Sequence, residues 1–164
     1  MSRESVIEEV QPGFVQVAGG KLTTYRRIAA KAVDKLDGAL GSLRKSSTGN
    51  IPLTGSGEQP ADVPDALFHG YGTEASRLLE ADATLLSDGV TPLGIVRHAV
   101  EEEGAVTIAD VTLRRSHLSW FVKDHGRGDA EAIAAQLAAA LGWDDARKAA
   151  ELTRFETDLA REGL

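Results

Sequence analysis

Residues 15–27, VQVAGGKLTTYRR, decide the fold at the N-terminal end of the chain. A short alternating apolar run meets Gly19, Gly20 and Lys21, and a helical pattern begins directly afterwards. Glycine permits positive φ and lets the backbone approach a ligand closely. A helix N-terminus leaves N–H groups unpaired and carries partial positive charge. The stretch predicts a strand, a glycine turn and a helix start that suits an anion.

A ribbon and a helix are predicted around this turn. Strands over residues 5–9 and 13–18 are joined through Gln11-Pro12-Gly13, a turn-forming cluster. Because a two-stranded ribbon and one helix are too little to fold alone, residues 1–36 are interpreted as the remnant of a larger α/β domain. The helix has one apolar face, which its period predicts to be buried: Tyr25, Ile28, Ala29, Ala32, Val33 and Leu36.

Residues 37–64 and 65–164 differ in kind. Residues 37–64 are rich in Gly, Ser, Thr and Pro without a sustained period, which predicts a linker. Residues 65–164 show one helical pattern after another with short connections, so we expect an all-α bundle and a mainly α fold overall. Helix starts are predicted at Thr73, Thr91-Pro92, Thr107 (with a helix to about residue 121), Asp129 and Asp144, and helix ends at Gly104 and Gly142.

Charge and composition exclude several classes of function. The 164 residues carry a net charge of -7, and residues 65–164 hold ten Lys/Arg against eighteen Asp/Glu. Such an acidic body argues against nucleic acid and anionic membrane as partners. The absence of cysteine excludes disulfides and thiolate metal sites and fits a cytoplasmic protein. No apolar run approaches the ~20 residues of a membrane span.

The glycine-lysine turn matches neither common phosphate-binding motif. A Walker A loop needs Gly where Val15 stands and Ser or Thr where Leu22 stands, and G-x-G-x-x-G is absent. On the residues alone, the turn is either one wall of an anion site or a simple connection with Lys21 in solvent. No general base, nucleophile or metal-ligand set accompanies it.

The string AGGKLTTYR, residues 18–26, closely resembles a segment near the end of the flavin domain in FAD-dependent glycerol-3-phosphate dehydrogenases. Ser2-Arg3 ahead of a strand is similar to that family, although Ser5 stands where histidine is commoner there. Residues 100–115, VEEEGAVTIADVTLRR, and Gly142-Trp143-Asp144 resemble its C-terminal helical domain. The resemblance covers nearly the whole chain.

The resemblance implies a parent flavoenzyme that oxidises sn-glycerol 3-phosphate to dihydroxyacetone phosphate and passes electrons to a quinone-type acceptor. Arg3 and Lys21 would contact the substrate phosphate. Gly19, Gly20, Lys21, Leu22 and Thr23 would face the pyrimidine edge of FAD. Since nothing here matches the family's N-terminal G-x-G-x-x-G, we expect a C-terminal portion that lacks its FAD domain, binds no FAD alone and has no catalytic residue. The parent would be cytoplasmic or peripheral on the cytoplasmic membrane.

A competing hypothesis is an independent helical interaction or dimerisation module with a fortuitous glycine turn. For the helical region itself, three roles stay open: stabilising the flavin domain, forming a homodimer, or contacting a membrane or acceptor subunit. His98 and Glu101 are interpreted as a surface pair rather than a metal site. Arg114 and Arg115 either form ion pairs or grip an anion. Four aromatic residues are expected in the core: Trp120, Phe121, Trp143 and Phe155. The alternative is that some of them form an exposed patch for docking onto the missing domain or a second subunit.

Overall fold

The computed structural model describes residues 4–42 and 44–164, which form two compact units, Met1–Leu53 (unit 1) and Thr54–Leu164 (unit 2). The boundary lies inside the predicted linker, residues 37–64, so that segment contributes to both units. Arg3, predicted as a substrate contact, lies outside the described residues.

Unit 1 begins with the predicted ribbon. Strands β1 (Ser5–Gln11) and β2 (Phe14–Gly19) pair antiparallel, with Ser5 opposite Gly19. A 3-10 turn (Leu22–Thr24), α1 (Tyr25–Asp34), α2 (Asp37–Leu40) and a second 3-10 turn (Thr48–Asn50) follow. The Arg26 guanidinium donates to the Thr48 carbonyl at 2.5 Å, so the second 3-10 turn is held against α1.

The apolar face of the first helix is not buried as predicted. Ile28, Ala32 and Leu36 are half-buried, whereas Tyr25, Ala29 and Val33 are exposed. In residues 4–42 and 44–53 no side chain reaches full burial. The reason is physical: a two-stranded ribbon covers only a narrow strip of one helix, and a buried stripe needs a second layer.

Unit 2 consists of short helices followed by two longer ones. They are α3 (Asp65–Tyr71), α4 (Ala75–Ala81), α5 (Ile95–Glu101), α6 (Ile108–Thr112), α7 (Leu118–Phe121), α8 (Ala130–Leu141) and α9 (Asp145–Glu162), with a 3-10 turn (Gly72–Glu74) between α3 and α4. Packing of α5 and α6 on α8 and α9 forms the centre of the unit. The two-stranded ribbon is the only sheet among the described residues, so the fold is mainly helical, as predicted.

The core of unit 2 is apolar and draws on every helix from α3 onward. Its largest fully buried apolar side chains are Leu78, Ile95, Val96, Ile108, Val111, Leu118, Ile133, Leu137, Phe155 and Leu159. Each buried side chain of this size contributes about 1.5–3 kcal/mol relative to its exposed state. Unit 2 therefore has the contiguous core that the described part of unit 1 does not form.

Two predicted helix caps are confirmed. Thr107 Oγ1 accepts the Asp110 N–H at 3.0 Å, and an Asp144 carboxylate oxygen accepts the Arg147 N–H at 2.7 Å. Gly142 ends α8 with φ of 70° in the left-handed conformation, also as predicted.

Other helix boundaries differ from the prediction. Thr73 lies in a 3-10 turn, with α4 beginning at Ala75. The helix expected from Thr91-Pro92 begins at Ile95, because Thr91 donates to the Asp88 carboxylate at 2.6 Å and Pro92 bridges to Leu85. The helix from Thr107 ends at Thr112, well before residue 121.

Asp129 precedes α8 as predicted but does not cap it. Its carboxylate accepts from the backbone N–H of Ser87 at 3.1 Å and from the Ser87 hydroxyl at 2.5 Å. The residue therefore fixes the loop between α4 and α5 to the start of α8.

Two of the four aromatic residues expected in the core are exposed instead. Phe155 is 1% exposed, and Trp143 packs against the core with the Arg147 guanidinium 5.2 Å from its ring centroid. Trp120 and Phe121, however, are 48% and 81% exposed. The prediction fails for them because α7 is a four-residue helix that buries only Leu118 and Ser119.

Candidate functional site

The candidate site is the corner after β2, formed by residues 19–23. Gly19 and Gly20 both have positive φ, 74° and 96°, which a side chain would strain. A Cβ atom on Gly19 would also lie 2.7 Å from the Glu4 carbonyl oxygen. The turn therefore needs glycine at these positions.

A 3-10 turn, rather than the helix itself, follows the glycines. The N–H and the hydroxyl of Thr24 both donate to the Lys21 carbonyl, at 3.0 and 2.9 Å. The N–H groups of Leu22 and Thr23 precede this first bond, and neither donates to any partner within the described residues. The α-helix begins only at Tyr25. The Leu22 and Thr23 N–H groups therefore lie in a tighter turn than the α-helix N-terminus that was predicted.

The corner is open to solvent. Lys21 and Thr23 are exposed, and Leu22 is 87% exposed. Lys21 has an extended backbone, with φ of -113° and ψ of 143°, at the point where the chain leaves the ribbon. Lys21 thus places one ammonium group beside the Leu22 and Thr23 N–H groups, which have no partner among the described residues. This arrangement can bind an anionic or electron-rich group.

A groove of about 420 Å³ lies beside the corner between β1 and α1. It is lined by Glu4, Ser5, Gly20, Thr24, Arg27, Ile28 and Lys31. The sequence pattern did not indicate that Ile28 reaches Gly20. The one available signal is that Ile28 belongs to the apolar stripe of the predicted helix.

The other polar candidates of the sequence form structural pairs in unit 2. His98 Nε2 lies 3.9 Å from Glu103, and Arg97 pairs with Glu101 at 2.8 Å. Among the described residues no His, Cys, Asp and Glu group has metal-binding geometry. Arg114 pairs with Asp110 at 3.0 Å and Arg115 with Glu103 at 2.8 Å, so the ion-pair interpretation of both arginines is confirmed.

Tyr71 lies against this polar cluster. Its ring meets that of His98 edge-on, with 6.4 Å between centroids. Burial, followed by the nearby carboxylates of Glu103 and Asp88, raises the pKa of Tyr71 to about 12. The phenol is thus neutral at ordinary pH and serves as a packing group beside Glu103 and Arg115.

The described residues 4–42 and 44–164 contain no helix that combines the length and the apolar character needed to cross a bilayer.

The corner lies within a region that matches a known protein family. A family model described as the C-terminal domain of alpha-glycerophosphate oxidase matches residues 15–148. The chain belongs to this family. The match begins within β2 and includes the whole corner, residues 19–23, together with most of unit 2.

Curated proteins similar to this chain carry related names. Glycerol-3-phosphate dehydrogenase 1 of Mycobacterium tuberculosis is 30% identical over 142 residues, covering 77% of this chain and 27% of that protein. Glycerol-3-phosphate dehydrogenase 2 of the same organism is 28% identical over 188 aligned positions, covering 100% of this chain and 32% of that protein. Alpha-glycerophosphate oxidase of Enterococcus casseliflavus is 24% identical, covering 100% and 31%. The chain thus spans between a quarter and a third of each relative.

Proposed function

We propose that this chain is the C-terminal part of an FAD-dependent glycerol-3-phosphate dehydrogenase. The parent would oxidise sn-glycerol 3-phosphate to dihydroxyacetone phosphate and deliver the electrons to a quinone-type acceptor. The family match and the names of the relatives support the glycerol-3-phosphate chemistry. The observation that carries the proposal is the corner itself, where residues 19–26, GGKLTTYR, form an open, donor-rich turn.

The corner fits the edge of a flavin ring. Glycine at 19 and 20 permits the positive φ of the corner, and the Leu22 and Thr23 N–H groups have no partner in the described part of the chain. Donors fixed in this way favour negative charge on a neighbouring heterocycle. FAD, when bound, would supply the acceptor for the hydride from C2 of the substrate. In this proposal Gly19, Gly20, Lys21, Leu22 and Thr23 form one wall of its site.

Lys21 would contribute binding energy to the substrate phosphate. An ammonium group on an exposed corner is a compact charge with three donors, which suits a phosphate oxygen. Arg3 would be the second cationic contact in the resemblance-based assignment, since a guanidinium group binds phosphate bidentately. Both residues bind and orient in this proposal, and neither transfers a proton.

Unit 2 would serve the parent enzyme as a non-catalytic accessory domain. Its core is complete within residues 54–164, whereas unit 1 presents apolar side chains that have no cover among the described residues. Those side chains include Val6, Val17 and Val33, each about half exposed. We propose that the FAD domain of the parent covers this surface. We do not expect the 164-residue chain alone to be catalytic, because residues 19–23 form only one side of the cofactor site.

The test compares this chain with the longer protein that contains it. We expect the longer protein to carry a flavin absorption band and to reduce a quinone analogue when glycerol 3-phosphate is added. The 164-residue chain alone should be colourless and inactive. A longer protein that is colourless and does not oxidise glycerol 3-phosphate would refute the proposal and favour an independent helical module. A yellow, active 164-residue chain would refute the accessory role.

A further inference from the structure

Ile28 of α1 lies directly beneath the glycine corner. A Cβ atom on Gly20 would be 2.5 Å from Ile28 Cδ1 and 3.8 Å from Ile28 Cγ1. The first distance is far below van der Waals contact, so the terminal methyl group of Ile28 occupies the space that a side chain at residue 20 would need. Ser5 closes the other side, with its Cβ 3.5 Å from the same point.

This contact links three elements at one point. Ile28 belongs to α1, Ser5 to β1, and Gly20 to the corner that connects β2 with the 3-10 turn. Ile28 is half-buried, and its β-branched side chain is restricted at χ1. The Ile28 side chain therefore limits how closely Gly20 can approach α1. The positions of Lys21 and of the Leu22 and Thr23 N–H groups depend on the position of Gly20.

We propose that Ile28 is a positioning residue for the corner. It holds Gly20, and through Gly20 it fixes the direction of the Lys21 side chain and of the Leu22 and Thr23 N–H groups. The inference rests on the proposed function for its effect on glycerol 3-phosphate, but its structural part concerns this chain alone. The sequence motif GGKLTTYR does not include Ile28.

The chain offers a matched control for this role. Leu36 is half-buried on the same apolar stripe, further from the corner than Ile28. Ile28→Ala and Leu36→Ala remove the same number of carbon atoms, so packing loss alone should affect both variants similarly. Ile28→Val removes only Cδ1, the atom nearest the Cβ position of Gly20, and keeps the β-branch, so it isolates this contact.

The structural test is amide NMR of the 164-residue chain. We expect Ile28→Ala to shift the Gly20, Lys21, Leu22 and Thr23 amide signals, with Ile28→Val intermediate and Leu36→Ala without effect at the corner. Equal corner shifts in Ile28→Ala and Leu36→Ala would overturn the inference. Random-coil shifts for these amides in the unmodified chain would overturn it as well, because Ile28 would then hold nothing.

The functional test uses the longer protein with glycerol 3-phosphate as the probe. A displaced contact group weakens a site steeply, so Ile28→Ala should raise KM about tenfold, Ile28→Val should raise KM by a smaller factor, and Leu36→Ala should leave KM within about twofold of the unmodified protein. An unchanged KM in Ile28→Ala would show that the contact does not position Lys21. Absence of glycerol 3-phosphate oxidation by the unmodified protein would refute the proposed function instead, and the NMR result would still decide the role of Ile28.

Discussion

The Glu151 carboxylate accepts the backbone N–H of Ile108 at 3.2 Å, although 43 residues separate them and each lies on a different helix. The Glu151 side chain is fully buried, and its other oxygen accepts from Arg147 at 3.0 Å. A charged side chain from α9 thus satisfies an unpaired donor in the first turn of α6. This is stabilising because the first N–H groups of a helix have no partner within it.

Replacing Glu151 tests this arrangement. We expect Glu151→Ala to lower the free energy of unfolding by about 2–4 kcal/mol, since it leaves a buried N–H group without an acceptor and opens a cavity. Glu151→Gln keeps one oxygen acceptor and should lose clearly less. Urea denaturation followed by circular dichroism measures both. Glu156→Ala, which breaks an exposed pair with Arg127, is the control and should cost at most about 1 kcal/mol. Equal losses at 151 and 156 would contradict the buried role.

Gly94 is predicted to tolerate no side chain. A Cβ atom there would lie 2.0 Å from the Leu78 carbonyl oxygen and 2.9 Å from the Asp82 backbone nitrogen, and backbone atoms cannot rotate away. Gly94→Ala should therefore push α4 from α5 and destabilise the protein by about 1–3 kcal/mol. Gly70→Ala in α3 meets nothing within 4 Å and should stabilise by about 0.5–1 kcal/mol. Opposite shifts of the urea midpoint would bear this out, and a neutral Gly94→Ala would not.

We expect the stability of unit 2 to depend on pH through the Asp124 carboxyl group. The hydrogen bond from the Gly128 N–H, at 2.7 Å, and that from Gly126, at 3.1 Å, lower the pKa of the Asp124 carboxyl below its ordinary value. Because the folded pKa is the lower one, the contribution is complete above about pH 4 and disappears as the pH falls through the folded value. Asp124→Asn should lower Tm at pH 7 and match the unmodified protein at strongly acidic pH. A Tm difference independent of pH would count against this.

Lys21→Ala should impair the parent enzyme without destabilising it. If the ammonium group contacts the substrate phosphate, its loss should cost about 2–4 kcal/mol in kcat/KM for glycerol 3-phosphate. Lys35→Ala removes an exposed cation from the same unit and should have no effect on kcat/KM. Steady-state kinetics of the two variants decide the matter. Identical kinetics in both would remove Lys21 from the site.

Local signals in the sequence predicted local structure well. The caps at Thr107 and Asp144 and the turn between the strands depend on a few neighbouring residues, and each is found in the structure. The glycine corner was likewise predicted from its own residues. The contact between Gly20 and Ile28 was not predicted, because it depends on how α1 packs against the ribbon.

Helix boundaries at which local contacts compete were predicted poorly. Thr91 was expected to cap a helix, but the Asp88 carboxylate competes for its hydroxyl. The helix from Thr107 was expected to continue, but it ends at Thr112, and His117 then takes a left-handed φ of 57°. Glu151 was not singled out in the sequence, although its spacing of four from Phe155 on the buried face of α9 was a usable signal.

The contrast between the two units has a consequence for cooperativity. Unit 2 encloses its own apolar interior, while no side chain in residues 4–42 and 44–53 is fully withdrawn from water. Heat capacity change on unfolding scales with the apolar area that becomes hydrated. The calorimetric transition of the isolated chain should therefore belong to residues 54–164, with the ribbon and its helix adding little to the enthalpy of melting.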